Sequence, residues 1–368
     1  MKASPRTGGA TAFPRLEPRP PYPPASEVVP RFIVSFVRFT LLTAIFGVAS
    51  RPAFEWLHAT FEQHLLPLLE GRFHGHPSDV LFAIGLTLAV NTTYTVVNGF
   101  FAVCDRWKLL QHYKLARTAA QEPSPELVAA TLRKEAFAHS VTAPIIMIFI
   151  AGPFFRWSNP AAADVDALPS FSKLWPTIVT CHAINDVWFY FGHRLLHSPV
   201  LYKAIHKRHH SYIGTRSFAA EYAHEVEDVF TAYIPYLLGL FVTGAHFHTV
   251  NVWFMCRLCE TYEAHSGYCF HGSLPQRCGL TFSRYAAHHD FHHTGNRGSF
   301  GNEFLDWLCG TDDAWYAMGG HDGYIAKKAP PPQRGATDVD SESPPPRRAG
   351  KSPARARARR RDAFPVSL

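Results

Sequence analysis

Hydrophobic residues along the chain are gathered into long runs, while polar and Pro-rich sequence lies at both ends. Apolar runs cover residues 39–54, 80–103, 136–155 and 174–191, and a longer one covers 229–259. A bilayer-crossing helix needs about 20 apolar residues, so the second to fourth runs suffice, whereas the first is short because Arg38 lies at its edge. The pattern predicts an all-α, multi-span transmembrane bundle whose last run is a helical hairpin.

The two ends of the chain differ in composition from the middle. Residues 1–30 are rich in Pro, and residues 326–368 are rich in Pro and Arg and lack apolar runs. Such composition is typical of disordered or polyproline-like segments. We therefore predict a disordered leader (1–30), N-terminal transmembrane helices (31–173), a histidine-rich domain (174–325) and a disordered tail (326–368).

The charged residues between the runs predict an orientation. Basic residues follow the second run at Arg106, Lys108, Lys114, Arg117, Arg133 and Lys134, and the fourth at Arg194, Lys203, Lys207 and Arg208. The loop 158–173 instead holds two Asp and one Lys. By the positive-inside rule the basic segments are cytosolic, and they suit anionic membrane lipid. Much of the net charge of +7 comes from residues 347–361, so it does not indicate a nucleic-acid partner.

The seven cysteines are odd in number and scattered through apolar sequence. They do not resemble a disulfide framework. Cys256 and Cys259 form a CxxC inside an apolar run, and we interpret them as helix-packing residues.

Fourteen of the 22 histidines lie between residues 193 and 293, and nine of these form three clusters. His193 and His197 form HRLLH; His206, His209 and His210 form HKRHH; His289, His292 and His293 form HDFHH, preceded by His288. Spacings of three and four place side chains on one helix face, so each cluster is expected to present its imidazoles to a single point. Isolated histidines (His139, His182, His246 and His248) are expected to be packed and hydrogen-bonded instead.

Eight converging imidazoles exceed the three or four protein ligands of one zinc ion. They suit two metal ions, and the clusters follow the predicted spans. Imidazole binds iron, zinc and copper alike, so the ligand type leaves the metal open. The expected fold is thus a transmembrane helical bundle with a cytosolic helical cap that carries a histidine-rich dimetal site.

At these residues the chain resembles the fatty acid hydroxylase and sterol desaturase superfamily, whose mark is HxxxH, HxxHH and a later HxxHH. The resemblance covers residues 174–317. Segments 193–210 (HRLLHSPVLYKAIHKRHH), 221–227 (EYAHEVE), 263–268 (EAHSGY), 288–293 (HHDFHH), 295–300 (GNRGSF) and 306–312 (DWLCGTD) are similar to 4-methylsterol monooxygenases. The resemblance implies metal ligands at His193, His197, His206, His209, His210, His289, His292 and His293, with His265 as an additional ligand.

Other positions match or depart from that family. His224 and Asp186 match recurring polar positions, for which we predict orientation of the ligand imidazoles. Residues 269–272 (Cys, Phe, His, Gly) and Glu225 replace the usual residues and are expected to line the substrate cavity. The family's dilysine retrieval signal is not terminal, since Lys327 and Lys328 precede residues 329–368.

The resemblance also implies a cofactor, a substrate and partners. It implies two iron ions that use O2 to oxidise the C-4 methyl group of a sterol precursor, in the endoplasmic reticulum membrane with the site facing the cytosol. Repeated oxidation would give alcohol, aldehyde and acid. The sequence has no Gly-rich dinucleotide fingerprint after a strand, so we expect a separate electron donor, by resemblance cytochrome b5 with its reductase.

Three other interpretations stay open. The same site could perform sterol C-5 desaturation, sterol 25-hydroxylation or fatty acyl hydroxylation. A His-rich membrane metal transporter would place its ligands near the bilayer midplane, whereas these clusters follow the spans. A sterol-binding pseudoenzyme is disfavoured because the clusters are intact.

Overall fold

The structure is a computed structural model that describes residues 22–279, 281 and 285–328. Most of the predicted leader and tail, residues 1–21 and 329–368, lies outside the described residues. Within them the chain is helical, with one isolated antiparallel bridge between Lys114 and Tyr268 and no strand. The all-α prediction is confirmed.

The α-helices are α1 (Ala25–Ala49), α2 (Arg51–Thr60), α3 (Leu66–Leu69), α4 (Pro77–Arg106), α5 (Pro125–Phe137), α6 (Ala143–Ile146), α7 (Gly152–Ser158), α8 (Phe171–Leu196), α9 (Pro199–Ala204), α10 (Glu225–Glu227), α11 (Ile234–Val242), α12 (Phe247–Ala264), α13 (Leu274–Arg277), α14 (Tyr285–Gly295), α15 (Glu303–Cys309), α16 (Asp313–Ala317) and α17 (Gly320–Lys328). Single π-helical turns are Phe61–Leu65, Ala138–Thr142, Met147–Ala151 and Asp228–Tyr233. Short 3-10 helices are Gln111–Tyr113, Ala119–Gln121, Val165–Ala167, His206–Ser211 and Ser217–Ala219.

Three segments of the described chain are long and apolar enough to cross a membrane: Ala25–Ala49, Pro77–Arg106 and Ala119–Ser158. They contain the second and third predicted runs and part of the first, so the protein is a membrane protein. The first helix is longer than predicted, because α1 already begins at Ala25, inside the predicted leader. Two π turns in the third segment precede Pro144 and Pro153, residues that cannot donate the usual helical hydrogen bond.

The fourth predicted run and the predicted hairpin form helices, yet they are not among these candidate spans. α8 is 26 residues long but carries His182, Asn185 and Asp186 in its middle. The hairpin consists of α11 and α12, which pack against α8 and α4 respectively. Trp253 of α12 and Phe82 of α4 lie in the shared aromatic core. These helices therefore line the inside of the bundle, where polar side chains find partners.

The connecting loops gather at two opposite ends of the bundle. At one end the backbone N–H of Phe247 donates to the carbonyl of Ala162 (2.8 Å), beside the acidic loop 158–173. At the other, the N–H of Leu115 donates to the carbonyl of Gly267 (2.9 Å), next to Lys114 and the histidine-bearing segments. The basic loop after α4 and the histidines thus share one end, as the predicted orientation requires.

Candidate metal centre

Nine histidines come together at this end of the bundle from four separate segments. His193 lies in the last turn of α8, whose C-cap is His197, and His265 is the C-cap of α12. The 3-10 helix His206–Ser211 and the helix α14 each carry three more. These are the nine residues expected as metal ligands.

The nine side chains form two adjoining groups. The five-histidine group consists of His193, His197, His206, His210 and His292, and the four-histidine group of His209, His265, His289 and His293. Within each group, one ring nitrogen per residue lies within 4.8 Å of all the others. The rings of His210 and His293 stack across the boundary with centroids 4.6 Å apart.

The expectation that each sequence cluster points to a single centre is wrong. His209 and His210 are neighbours in sequence but belong to different groups, and so do His292 and His293. Consecutive residues of a helix do not face the same direction. Each HxxHH motif therefore supplies both groups.

The Nε2 atoms of each group lie almost in contact. In the five-histidine group, successive Nε2–Nε2 distances are 3.0 Å (His193–His206), 3.1 Å (His206–His210), 3.2 Å (His210–His292) and 3.2 Å (His292–His197). In the four-histidine group they are 2.8 Å (His265–His289) and 3.1 Å (His289–His293). Polar atoms so close to one another need protons or a cation between them.

Backbone carbonyl groups fix the tautomers of four of these rings. The Nδ1 atoms of His193, His292, His293 and His265 lie 2.6–3.0 Å from the carbonyl oxygens of Phe300, Gly298, Tyr212 and Thr261, respectively. A carbonyl oxygen can only accept, so each Nδ1 carries the proton. The Nε2 atom of each neutral ring therefore turns a lone pair toward its group.

Protons alone cannot satisfy the five-histidine group. The Nε2 contacts run from His193 through His206 and His210 to His292. Because His193 Nε2 is an acceptor, alternation of acceptors and donors along this path would require His292 Nε2 to donate. Its Nδ1 proton, held by the Gly298 carbonyl, makes its Nε2 an acceptor instead. In the four-histidine group, a single proton on His289 cannot serve both His265 and His293. Both groups therefore fit a bound cation.

Burial keeps these imidazoles in the neutral, ligand-competent form. It lowers the pKa of His206, His209, His210, His289 and His293 well below the ordinary value, and repulsion between neighbouring rings lowers the pKa further. Burial likewise lowers the pKa of His265 to about 4 and that of His292 to about 3.

The loop 295–300 supplies two of the orienting carbonyl groups. Asn296, Gly298 and Ser299 all have positive φ angles, between 51° and 58°. A Cβ atom on Gly298 would lie 2.0 Å from the carbonyl oxygen of Thr311, so only glycine fits there. The backbone conformation of the GNRGSF segment thus turns two carbonyl groups toward His193 and His292.

Sequence reasoning missed a carboxyl group beside the centre. The Glu227 Oε1 atom lies 2.7 Å from His206 Nδ1, and both side chains are buried. Burial raises the pKa of Glu227 to about 9. A glutamate three residues beyond His224 in the EYAHEVE segment was the available signal, but the orienting role was predicted for other residues.

The two residues predicted to orient imidazoles have different contacts. His224 Nδ1 accepts a hydrogen bond from the backbone N–H of Val226, so this side chain caps α10. Asp186 accepts a hydrogen bond from Asn302 Nδ2 (2.9 Å) and lies 3.6 Å from His182.

The four isolated histidines are held by structural partners, as predicted. His139 pairs with Glu221 (3.0 Å), His182 stacks on Phe39, His246 caps α12 and His248 contacts Ser50. His288, next to the centre in sequence, forms a buried ion pair with Asp312 (3.0 Å). That pair raises the pKa of His288 to about 9 against the opposing effect of burial.

A cavity of about 110 Å³ adjoins both groups. His193 and His206 of one group and His209, His265 and His289 of the other lie in its wall. The residues at 269 and 270, expected to line a substrate cavity, instead pack in apolar clusters. Glu225 is exposed and pairs with Arg208 (2.9 Å).

The fold and the site define a class of protein: a helical membrane protein in which two groups of buried, neutral histidines adjoin a cavity. The sequence model of the fatty acid hydroxylase family, described as "Fatty acid hydroxylase", matches residues 178–311. The chain belongs to this family. The matched region contains all nine histidines.

Several characterised proteins are similar to the chain. "Methylsterol monooxygenase 2-2" of Arabidopsis thaliana is 32% identical over 246 residues, covering 65% of this chain and 89% of the relative. "Very-long-chain aldehyde decarbonylase GL1-11" of Oryza sativa subsp. japonica is 36% identical over 65% of this chain and 88% of the relative. "Fatty acid hydroxylase domain-containing protein 2" of Homo sapiens is 28% identical, with 68% and 71% covered. No solved structure matches.

Proposed function

We propose that the protein is an O2-dependent monooxygenase that oxidises the C-4 methyl group of a sterol precursor with two iron ions, one in each histidine group. This proposal rests on one observation: two groups of neutral imidazoles border one cavity, and protons alone cannot satisfy the contacts within each group. Methylsterol monooxygenases among the relatives support an oxidoreductase and a lipid substrate. Family membership favours iron over the other metals that imidazole binds.

The chain's own residues have separate tasks in this proposal. The nine imidazoles hold the metal ions through the nitrogen atoms that face each group, while the carbonyl groups and Glu227 fix their rings from behind. Bound iron would supply the activation of O2. The cavity wall keeps bulk water away from a reacting methyl group and limits which carbon atom reaches the centre.

The proposed setting rests on the similarity to sterol enzymes and on the basic loop after α4. We place the protein in the endoplasmic reticulum membrane as a multi-pass protein, with the histidine end in the cytosol because the basic loop after α4 lies there. Electrons would then arrive from a cytosolic cytochrome b5-type donor and its reductase. The sterol would arrive from the bilayer.

Expression in a yeast strain that lacks its own 4-methylsterol oxidase tests the proposal. We expect the chain to restore growth without added sterol and to deplete 4-methylsterols in a gas-chromatographic profile. A His289→Ala variant, expressed to the same level, should not. Accumulated 4-methylsterols with the wild-type chain at normal expression and iron content would overturn the assignment.

The same profile separates the remaining interpretations. A sterol with a new C-5 double bond, a 25-hydroxysterol or a hydroxylated fatty acid would each identify another reaction of this site. Iron loss into the medium without any oxidised lipid would point to a transporter. Purified protein without bound metal would point to a sterol-binding pseudoenzyme.

A further inference from the structure

Two cavities meet behind the histidines. The cavity beside the centre has Arg257 and Tyr285 in its wall. A second cavity, of about 430 Å³, is also lined by Arg257 and Tyr285. Two side chains are therefore common to both spaces, and we call the second space the α1 cavity, because residues 28–39 of α1 form one of its walls.

The lining of the α1 cavity is partly aromatic and partly polar. Phe32, Phe36 and Phe39 of α1, with Phe304 of α15, provide aromatic surface. Polar side chains face them from the interior of the bundle, at Asp186, Arg257, Glu260, His271 and Asn302. Of the four family-divergent positions 269–272, only His271 is part of this lining in the described chain.

The location suits an amphipathic lipid. α1 is a candidate membrane span, and its Ile33 and Val34 side chains are 51% and 53% exposed. A lipid in the bilayer can therefore approach alongside this helix. Pockets that bury small ligands typically enclose roughly 300–1,000 Å³, a range that includes the α1 cavity but not the smaller space at the histidines.

Arg257 and Tyr285 form the partition between the two cavities. Arg257 is buried and forms an ion pair with Glu260, and the Asn185 amide oxygen accepts from its Nε (3.1 Å) and Nη2 (3.2 Å). Those contacts hold the guanidinium group in place. The Tyr285 ring lines both cavities and lies 6.0 Å from the ring of His289, so it stands between the α1 cavity and the four-histidine group.

We propose that the α1 cavity binds the body of the lipid substrate and that Arg257 and Tyr285 form the doorway through which the reacting carbon reaches the histidines. This assignment rests on the proposed oxidation of a sterol-like lipid. The small inner cavity admits only the end of a rigid molecule, so the doorway selects which carbon is oxidised. The α1 cavity selects which lipid binds.

A pair of substitutions on α1 tests the cavity. Ser35 lines the α1 cavity and Val37 does not, although both lie on the same turn of the helix. We expect Ser35→Trp to reduce labelling by a 4,4-dimethylsterol bearing a side-chain diazirine at least about tenfold, a free-energy difference that steric exclusion readily supplies. Val37→Trp should label like the wild-type chain.

A second pair tests the doorway. Tyr285→Trp should leave photolabelling in the α1 cavity and the iron content unchanged but abolish most oxidation of the sterol, because the doorway is narrowed. Tyr285→Phe keeps the size of the ring, so its sterol oxidation should exceed that of Tyr285→Trp. Equal activity of Tyr285→Trp and the wild-type chain would refute the doorway.

The labelling pattern separates this inference from the proposed function. Labelled peptides from residues 28–39 without any sterol oxidation by the wild-type chain would refute the methyl oxidation and leave the cavity as a sterol site. Oxidation with labels only elsewhere, or with full labelling of Ser35→Trp, would refute the cavity and leave the function intact.

Discussion

The two histidine groups differ in what lies behind their imidazoles. In the five-histidine group, His206 has the carboxyl group of Glu227 at 2.7 Å. In the four-histidine group, His265 and His293 instead contact the neutral carbonyl groups of Thr261 and Tyr212. Once a bound cation favours its ionised form, the carboxylate of Glu227 would make His206 a stronger ligand than a carbonyl partner would. We infer from this difference that the five-histidine group would retain a metal ion more firmly.

The groups also differ in the number of ligands. A metal ion that prefers six ligands would keep more positions free among four imidazoles than among five. The four-histidine group places His209, His265 and His289 in the cavity wall, and Tyr285 of the doorway lies near its His289. We infer that retention of metal and access for substrate are divided between the groups, and three predictions test that division.

Loss of one ligand gives the largest expected effect. His206→Ala and His289→Ala should each lower turnover by at least about a hundredfold, the upper end of what loss of a mere supporting partner costs. Metal analysis should show one iron per chain for His289→Ala, because the firmer site stays intact. The loss should be larger for His206→Ala, because that change damages the firmer site and leaves only the weaker one. His224→Ala, which alters only a helix cap, is the matched control and should keep two. Equal iron loss in both ligand variants would contradict the division.

The sequence predicted the members of this centre but not their division. His193 and His197 or His289 and His293 are four residues apart, and that spacing predicts a shared direction whatever the rest of the fold does. Whether His209 joins His206 or His265 depends on how a 3-10 helix docks between α12 and α14. That docking is a tertiary contact, so the local pattern could not reveal it.

The orienting partners were also beyond local reasoning. The carbonyl groups of Gly298 and Phe300 face His292 and His193 only because the loop between α14 and α15 adopts left-handed backbone conformations. Glu227 lies 21 residues beyond His206 and reaches it through the fold. α8, which is not among the candidate spans, likewise satisfies its polar residues through contacts inside the bundle.

Removal of the carboxylate without change of shape gives the intermediate effect. Glu227→Gln should weaken iron retention by about 10–100-fold at one of the two sites, the usual cost of a lost outer partner. Burial raises the pKa of Glu227 to about 9 in the metal-free protein, so there the neutral amide should leave the melting temperature nearly unchanged. Glu225→Gln, two residues earlier and exposed, is the control. The measurement is the release of iron during stepwise chelation. A release profile equal to that of the wild-type chain would contradict the role of Glu227 in iron retention.

The smallest effect should reach both groups equally. The Tyr324 hydroxyl donates to Asp290 Oδ2 (2.7 Å), and Asp290 lies between His289 and His292 on α14, a helix that serves both groups. Tyr324→Phe removes this buried hydrogen bond, which contributes about 1 kcal/mol to stability, while Thr215 still holds the other carboxylate oxygen (3.0 Å). We expect a slightly lower melting temperature and a small, equal loss from both iron sites. Lys327 is exposed on α17, the helix that carries Tyr324, and Lys327→Ala should change neither the melting temperature nor the iron content. A loss confined to one site would show that α14 does not couple the groups, since its displacement moves His289 and His292 together.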